Sequence, residues 1–133
     1  MERATQRPGL TDSDVLIDAS RGVAEAGRFL DAQQAGEGVT ISAISAMELL
    51  SGCRNSAQMA EVQRFLDTVN IVQVTPEISL IATKLIERYT LSHGMLLADA
   101  LIAATAIEKA LPIYTKNLKH FRVIPELKVI RPY

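Results

Sequence analysis

The sequence predicts an α/β fold in which a parallel sheet is covered by helices. Short β-prone runs alternate with longer helix-patterned segments, one βα step after another, and parallel strands need such crossovers. Residues 96–111 hold Leu97, Ala100, Leu101, Ile102, Ala103, Ala104, Ala106 and Ile107. They are apolar on nearly every side and suit a helix in the middle of the protein. Thr75-Pro76-Glu77 is a helix start: Thr75 caps, Pro76 fits the first turn, and Glu77 meets the positive end of the helix dipole.

Residues 9–17 read as a short strand and turn, Leu10-Thr11-Asp12, leading into Val15-Leu16-Ile17, and they suit the start of a helix equally well. Residues 22–35 carry Val23, Ala26, Phe29, Leu30 and Gln33 at three-and-four spacing, a helix stopped by Gly36 and Gly38. Residues 39–42 alternate toward a strand. Ser42 or Ser45 then caps a helix containing Ala46, Met47, Leu49 and Leu50 that ends near Gly52. Met59, Val62, Phe65, Leu66 and Val69 mark one helical face across residues 57–69, and residues 71–74 are strand-like. The helix from Thr75 runs to about Ser92, and Gly94 separates it from the apolar helix. Residues 113–115 and 129–130 read as the last two strands. With no repeat, low-complexity tract or linker, residues 9–133 form one domain, preceded by a flexible extension over residues 1–8.

A chain of 133 residues, 48% hydrophobic and 22% charged, has room for a single core. No apolar run approaches the roughly 18 residues of a membrane span, and Glu2, Arg3, Gln6 and Arg7 make the N-terminus too polar for a secretory signal. The expected location is the cytoplasm. Cys53 is the only cysteine, which excludes an internal disulfide and a cysteine-rich zinc site, and it reads as a small, partly buried residue. A formal charge of −1 leaves no basic excess, so composition alone does not point to nucleic acid.

The chemistry lies in Asp12, Glu48, Asp99 and Asn117. In open α/β sheets, ligands bind outside the carboxyl ends of the strands, where side chains far apart in sequence converge. Asp12 and Asn117 fit such positions. Glu48 falls about one turn into the helix after the second strand, and Asp99 in the first turn of the apolar helix. With Leu96, Ile102 and Ala103 as helical neighbours, Asp99 is largely desolvated, and a carboxylate there calls for a raised pKa, a basic partner or a metal ion. Oxygen donors of this kind suit Mg²⁺ or Mn²⁺, as in a site that activates water against a phosphodiester. Each residue also has a structural reading. Ser45-Ala46-Met47-Glu48 fits a capping box, Asp99 favours a helix N-terminus, and Asp12 and Asn117 are at home in turns. His93 and His120 read as surface or cap residues, and Asp14 and Asp18 as facing solvent or supporting the site.

Four blocks in order resemble a PIN domain of the VapC type: residues 11–18 with Asp12, residues 41–49 with Glu48, residues 97–106 with Asp99, and residues 114–127 with Thr115 and Asn117. The resemblance spans residues 9–133 and implies a Rossmann-like three-layer sandwich with a central, mainly parallel sheet. It also implies an endoribonuclease dependent on Mg²⁺ or Mn²⁺, a homodimer, and inhibition by a cognate VapB-like antitoxin. By carry-over, Asp12, Glu48 and Asp99 hold the metal, Asn117 takes a fourth position where many members carry Asp, and Thr115 supports the site through its hydroxyl. Lys84, Arg88, Lys116, Lys119 and Arg122 are candidate phosphate contacts.

Two other readings compete. Asp12-Ser13-Asp14-Val15 imitates the nucleophile motif of haloacid-dehalogenase-like phosphatases, but only Glu108 and Glu126 follow Asp99, too far apart to complete that site. A PIN-like module that binds RNA or protein without cutting would have lost one of the core acids, and all three remain.

Overall fold

The computed structural model describes residues 7–133. Leu10 and Thr11 are shielded from water on both sides, and the strand they form, β1 (Leu10–Thr11), lies in the middle of a five-stranded sheet. β1 pairs in parallel with β2 (Thr40–Ser42) and β4 (Ile113–Tyr114), through Leu10 opposite Thr40 and Leu10 and Thr11 opposite Ile113 and Tyr114. β3 (Asn70–Val72) extends the sheet beyond β2, and β5 (Val129–Ile130) beyond β4. The order is β3-β2-β1-β4-β5 and every pairing is parallel. The chain steps outward from β1 to β3 and returns to β4 on the other side of β1. The crevice of such a sheet therefore opens at the carboxyl ends of β1 and β4.

Helices cover both faces. On one, α5 (Pro76–His93) supplies Ile78, Ala82, Leu85 and Tyr89, and α6 (Leu97–Glu108) supplies Ala100, Ile102, Ala103, Ala104 and Ala106. The alanines let α5 and α6 approach closely and close over Leu10 and Ile113. On the other face, α1 (Ser13–Ser20), α2 (Ala24–Ala35) and α3 (Ala43–Ser51) bury Val15, Leu16, Phe29, Leu30 and Ala46 with Val39, Ile41 and Tyr114. α4 (Ser56–Leu66) covers the edge with half-buried Phe65 and Leu66. The result is the expected three-layer sandwich, with a sheet that is wholly parallel. No helix among the described residues is long and apolar enough to cross a membrane.

Local chemistry settles the choices the sequence left open. The strand at residues 9–17 is two residues long, and Asp12 caps the helix that follows by accepting from the Ser13 amide. Ser42, not Ser45, caps α3, its Oγ accepting from the Ile44 amide at 3.0 Å. Ser45 lies inside that helix and is fully buried, so Ser45-Ala46-Met47-Glu48 is not a capping box. A short α7 (Leu118–Phe121) follows β4 and was not expected. Gln33, on the apolar face of α2, is buried and donates to the Arg7 carbonyl at 3.1 Å, which also accepts from the Tyr114 hydroxyl at 2.6 Å. Of the expected extension over residues 1–8, residues 1–6 lie outside the described residues.

Tyr114 is fixed at both ends, since its ring also stands edge-on to Phe29 at 4.8 Å. A Cβ on Gly9 would come within 2.4 Å of Tyr114 Cε2 and 2.8 Å of Cδ2. A ring held this way cannot yield, and overpacking of this sort costs about 1–3 kcal/mol. Gly9→Ala should lower unfolding stability by about that amount in urea titration. A change below roughly 0.5 kcal/mol would show that Tyr114 is not a fixed wall.

Candidate functional site

Asp12 follows directly from β1, and its amide donates to the Tyr114 carbonyl at 2.9 Å, so its position is set by the β1–β4 pairing. Its carboxylate is almost completely buried. One oxygen accepts from the Ser13 amide at 2.8 Å, and the other from the Thr115 hydroxyl at 2.8 Å. Burial nevertheless pushes the Asp12 pKa up to about 7, with the nearby charge of Asp14 and, more weakly, that of Asp99 acting in the same direction. Two donors do not compensate for drying and crowding.

Thr115, just past β4, is the hinge of the arrangement. Besides donating to Asp12 it lies 3.4 Å from Asp14 Oδ2, and it accepts from the Asn117 amide at 3.0 Å. Asp14, in the first turn of α1, accepts from the Lys116 amide at 2.8 Å through Oδ2, while its buried Oδ1 has no partner among the described residues. Asp18, one turn further on, accepts from Lys116 Nζ at 2.6 Å and from the Tyr133 hydroxyl at 2.7 Å. These bonds lower its pKa, and burial together with the same contact raises that of Tyr133. Asp14 and Asp18 both take the supporting role rather than the solvent-facing one.

Glu48 reaches in from α3. Its Oε1 accepts from Ser13 Oγ at 2.7 Å, and that hydroxyl lies 3.0 Å from Ser45 Oγ. Ser13 thus holds one acid, Asp12, through its amide and a second, Glu48, through its hydroxyl. Asp99 stands in the first turn of α6 with its side chain 18% exposed. Burial raises its pKa against the opposing influence of His120, whose Nδ1 lies 3.0 Å from Asp99 Oδ2. His120 is therefore a partner of the site rather than a plain surface residue. The sequence signal for it was its place in α7, three residues after Asn117, on an element too short to be expected. Asn117 is exposed at the start of α7 and its side chain makes no hydrogen bond among the described residues.

Among the described residues, no three His, Cys, Asp or Glu side chains converge closely enough to hold a metal ion unaided. The donor set still fits a hydrated Mg²⁺ or Mn²⁺, because such ions keep several waters and take only one or two carboxylates directly. The raised pKa values of Asp12 and Asp99 and the unpartnered Asp14 Oδ1 mark a desolvated acidic cluster of the kind a hard cation suits. Of the candidate phosphate contacts, Lys116 is engaged with Asp18 and stands over the Tyr133 ring, and Arg88 pairs with Glu126 at 3.3 Å. Lys84, Lys119 and Arg122 form no ion pair among the described residues.

Comparison with known proteins matches the PIN domain family to residues 10–127. The chain is 38% identical to Ribonuclease VapC10 of Mycobacterium tuberculosis over 120 residues, 90% of each chain. It is 36% identical to Ribonuclease VapC19 of the same organism over 121 residues, 90% of this chain and 96% of that one. A chain in a toxin–antitoxin complex from Klebsiella pneumoniae superposes with a TM-score of 0.78 at 33% identity, covering 95% of this chain and 98% of the other. A family match over residues 10–127, with relatives 36–38% identical over 90% of the chain, makes the chain a member of the PIN-domain family, among its VapC ribonucleases.

Proposed function

We propose that the protein is a metal-dependent endoribonuclease and the toxin of a toxin–antitoxin pair. The observation that carries this reading is the gathering of Asp12, Asp14 and Asp99 at the carboxyl end of the sheet, where burial first, and the charges of Asp14 and Asp99 after it, push Asp12 up to about 7. Clustered, desolvated carboxylates with no Lys or Arg side chain paired to them among the described residues are arranged for a hard cation and a phosphodiester.

Asp12, Glu48 and Asp99 would hold a hydrated Mg²⁺ or Mn²⁺, one or two of them directly and the rest through its waters, with Asp14 adding negative charge behind them. When bound, such an ion activates water and neutralises the charge that builds on the phosphodiester. The chain's own part is orientation. Ser13 and Thr115 fix both oxygens of Asp12, Ser13 Oγ fixes Glu48, and His120 fixes one oxygen of Asp99. Asn117 borders the site from its exposed lip as the fourth polar residue. Lys84, Lys119 and Arg122 are free to meet phosphates.

A groove of about 470 Å³ between α1, α2, α3 and α4, lined by Leu16, Ala19, Leu30, Leu49, Val62 and Phe65, suits the apolar face of an antitoxin helix. An Arg or Lys from the same partner among the acids would displace the ion. Exposed Leu80, Leu91 and Leu97 on α5 and α6 supply apolar surface for a second copy in a homodimer. The folded core over residues 9–133 acts as the nuclease domain.

Purified protein free of antitoxin should cut total cellular RNA in Mg²⁺ or Mn²⁺, stop in EDTA, and lose at least about a hundredfold of its rate on Asp99→Asn. Intact RNA with well-folded wild-type protein would instead favour a PIN-like module that binds without cutting.

Metal-free stability tests the crowding directly. Folded Asp12 keeps its proton up to about pH 7, whereas the unfolded residue gives it up near 3.8. Between those values the folded state binds more protons, so stability falls as pH rises across the window. Metal-free Asp12→Asn should be more stable than wild type at pH 8 by about 2–4 kcal/mol, and the gap should close toward pH 4. Thermal melts showing a gap independent of pH would mean that Asp12 is not the strained group.

A further inference from the structure

Beside the acidic site lies a second pocket of about 470 Å³, lined by His93 at the end of α5, Met95 and Leu96 in the following turn, Asp99, and Lys119 and His120 of α7. Asp99 belongs both to the acidic site and to the pocket wall, so an occupant of the pocket adjoins the bond being cut. The size is that of a small-molecule site. Two imidazoles, a thioether and an isobutyl group make the lining flat and apolar in part, and Lys119 adds an ammonium with no ion pair among the described residues. The His93 ring is held in place: it stands edge-on to Tyr89 at 5.9 Å and 82°, and its Nδ1 lies 2.7 Å from Ser92 Oγ. A fixed ring next to a free cation matches the two halves of a nucleotide, a base to stack and a phosphate to neutralise. A base inside an A-form duplex keeps both faces stacked and its edge paired, and cannot enter.

We propose that this pocket receives one unpaired RNA nucleotide adjoining the phosphodiester to be cut, its base against His93, Met95 and Leu96 and its phosphate on Lys119. The inference rests on the ribonuclease reading above and adds to it a nucleotide subsite built by His93, Met95, Leu96 and Lys119.

The test uses the full chain, free of antitoxin, and a short labelled RNA spanning a junction that the protein itself cuts in total cellular RNA. His93→Ala and Lys119→Ala should each raise KM about tenfold with kcat little changed, while His93→Phe, which keeps a ring face, should hold KM near the wild-type value. Annealing the RNA to its complement should suppress cleavage. Unchanged KM in both alanine variants, failure of Phe to substitute for His93, or equal cutting of the annealed RNA overturns the pocket assignment and leaves the ribonuclease reading standing. A wild-type protein that cuts no RNA overturns both.

Discussion

The hydrogen bond from Thr115 to Asp12 joins the ends of two adjacent strands across 103 positions of sequence, and the site depends on it. It needs β1 and β4 side by side and in register, because only then do the residues following Thr11 and Tyr114 face each other. It also needs α1 to start at Ser13, since the same carboxylate caps that helix. Moving α1 would move Ser13 and, with its hydroxyl, the anchor of Glu48 on α3. Asp12 is thus a structural cap and a candidate ligand at once, and the two roles agree: the Ser13 amide and the Thr115 hydroxyl orient the oxygens, but their donation is too weak to offset burial.

Burial comes from the layers above and below. Leu10, Ile113 and the alanines of α6 close one side of the sheet, and Val15, Leu16 and Tyr114 close the other, so the crevice between β1 and β4 has dry walls. The all-round apolar character of α6 serves two ends. It fills the core, and it carries Asp99 into a half-buried place where desolvation raises its pKa and the charge of Asp14 adds to that. A more amphipathic helix there would expose Asp99 to water and relax its pKa.

The sheet class and the central apolar helix were legible in the sequence because each rests on local pattern, and Asp99 stood out as an acid inside an apolar run; Asp12 and Glu48 were singled out by the order of the family-like blocks. The rest depended on tertiary contacts. Residues 9–17 suited strand and helix alike, and the parallel pairing with β4 decided how short β1 would be. Ser42 and Ser45 are equally good caps by chemistry, and the length of β2 chose between them. His120 and Asp14 carry no periodic signal, and their roles come from where α7 and α1 dock. Gln33 looked like one more residue on an apolar face, whereas its amide reaches the Arg7 carbonyl.

The weak overall charge is consistent with binding a polyanion, because what matters is which cations are left unpaired near the site. Lys116 is drawn away by Asp18 and Tyr133, and Arg88 by Glu126 and Tyr89, so neither offers a free charge. Lys119 sits at the opposite extreme, on the same short helix as His120 and on the wall that Asp99 shares. A net charge of −1 then hides a local division: carboxylates gathered around the strand ends, and beside them the ammonium of Lys119, next in sequence to the histidine that orients Asp99. An RNA strand lying across that boundary would meet a cation for its phosphate before it meets the acids, and its approach would weaken as salt rises.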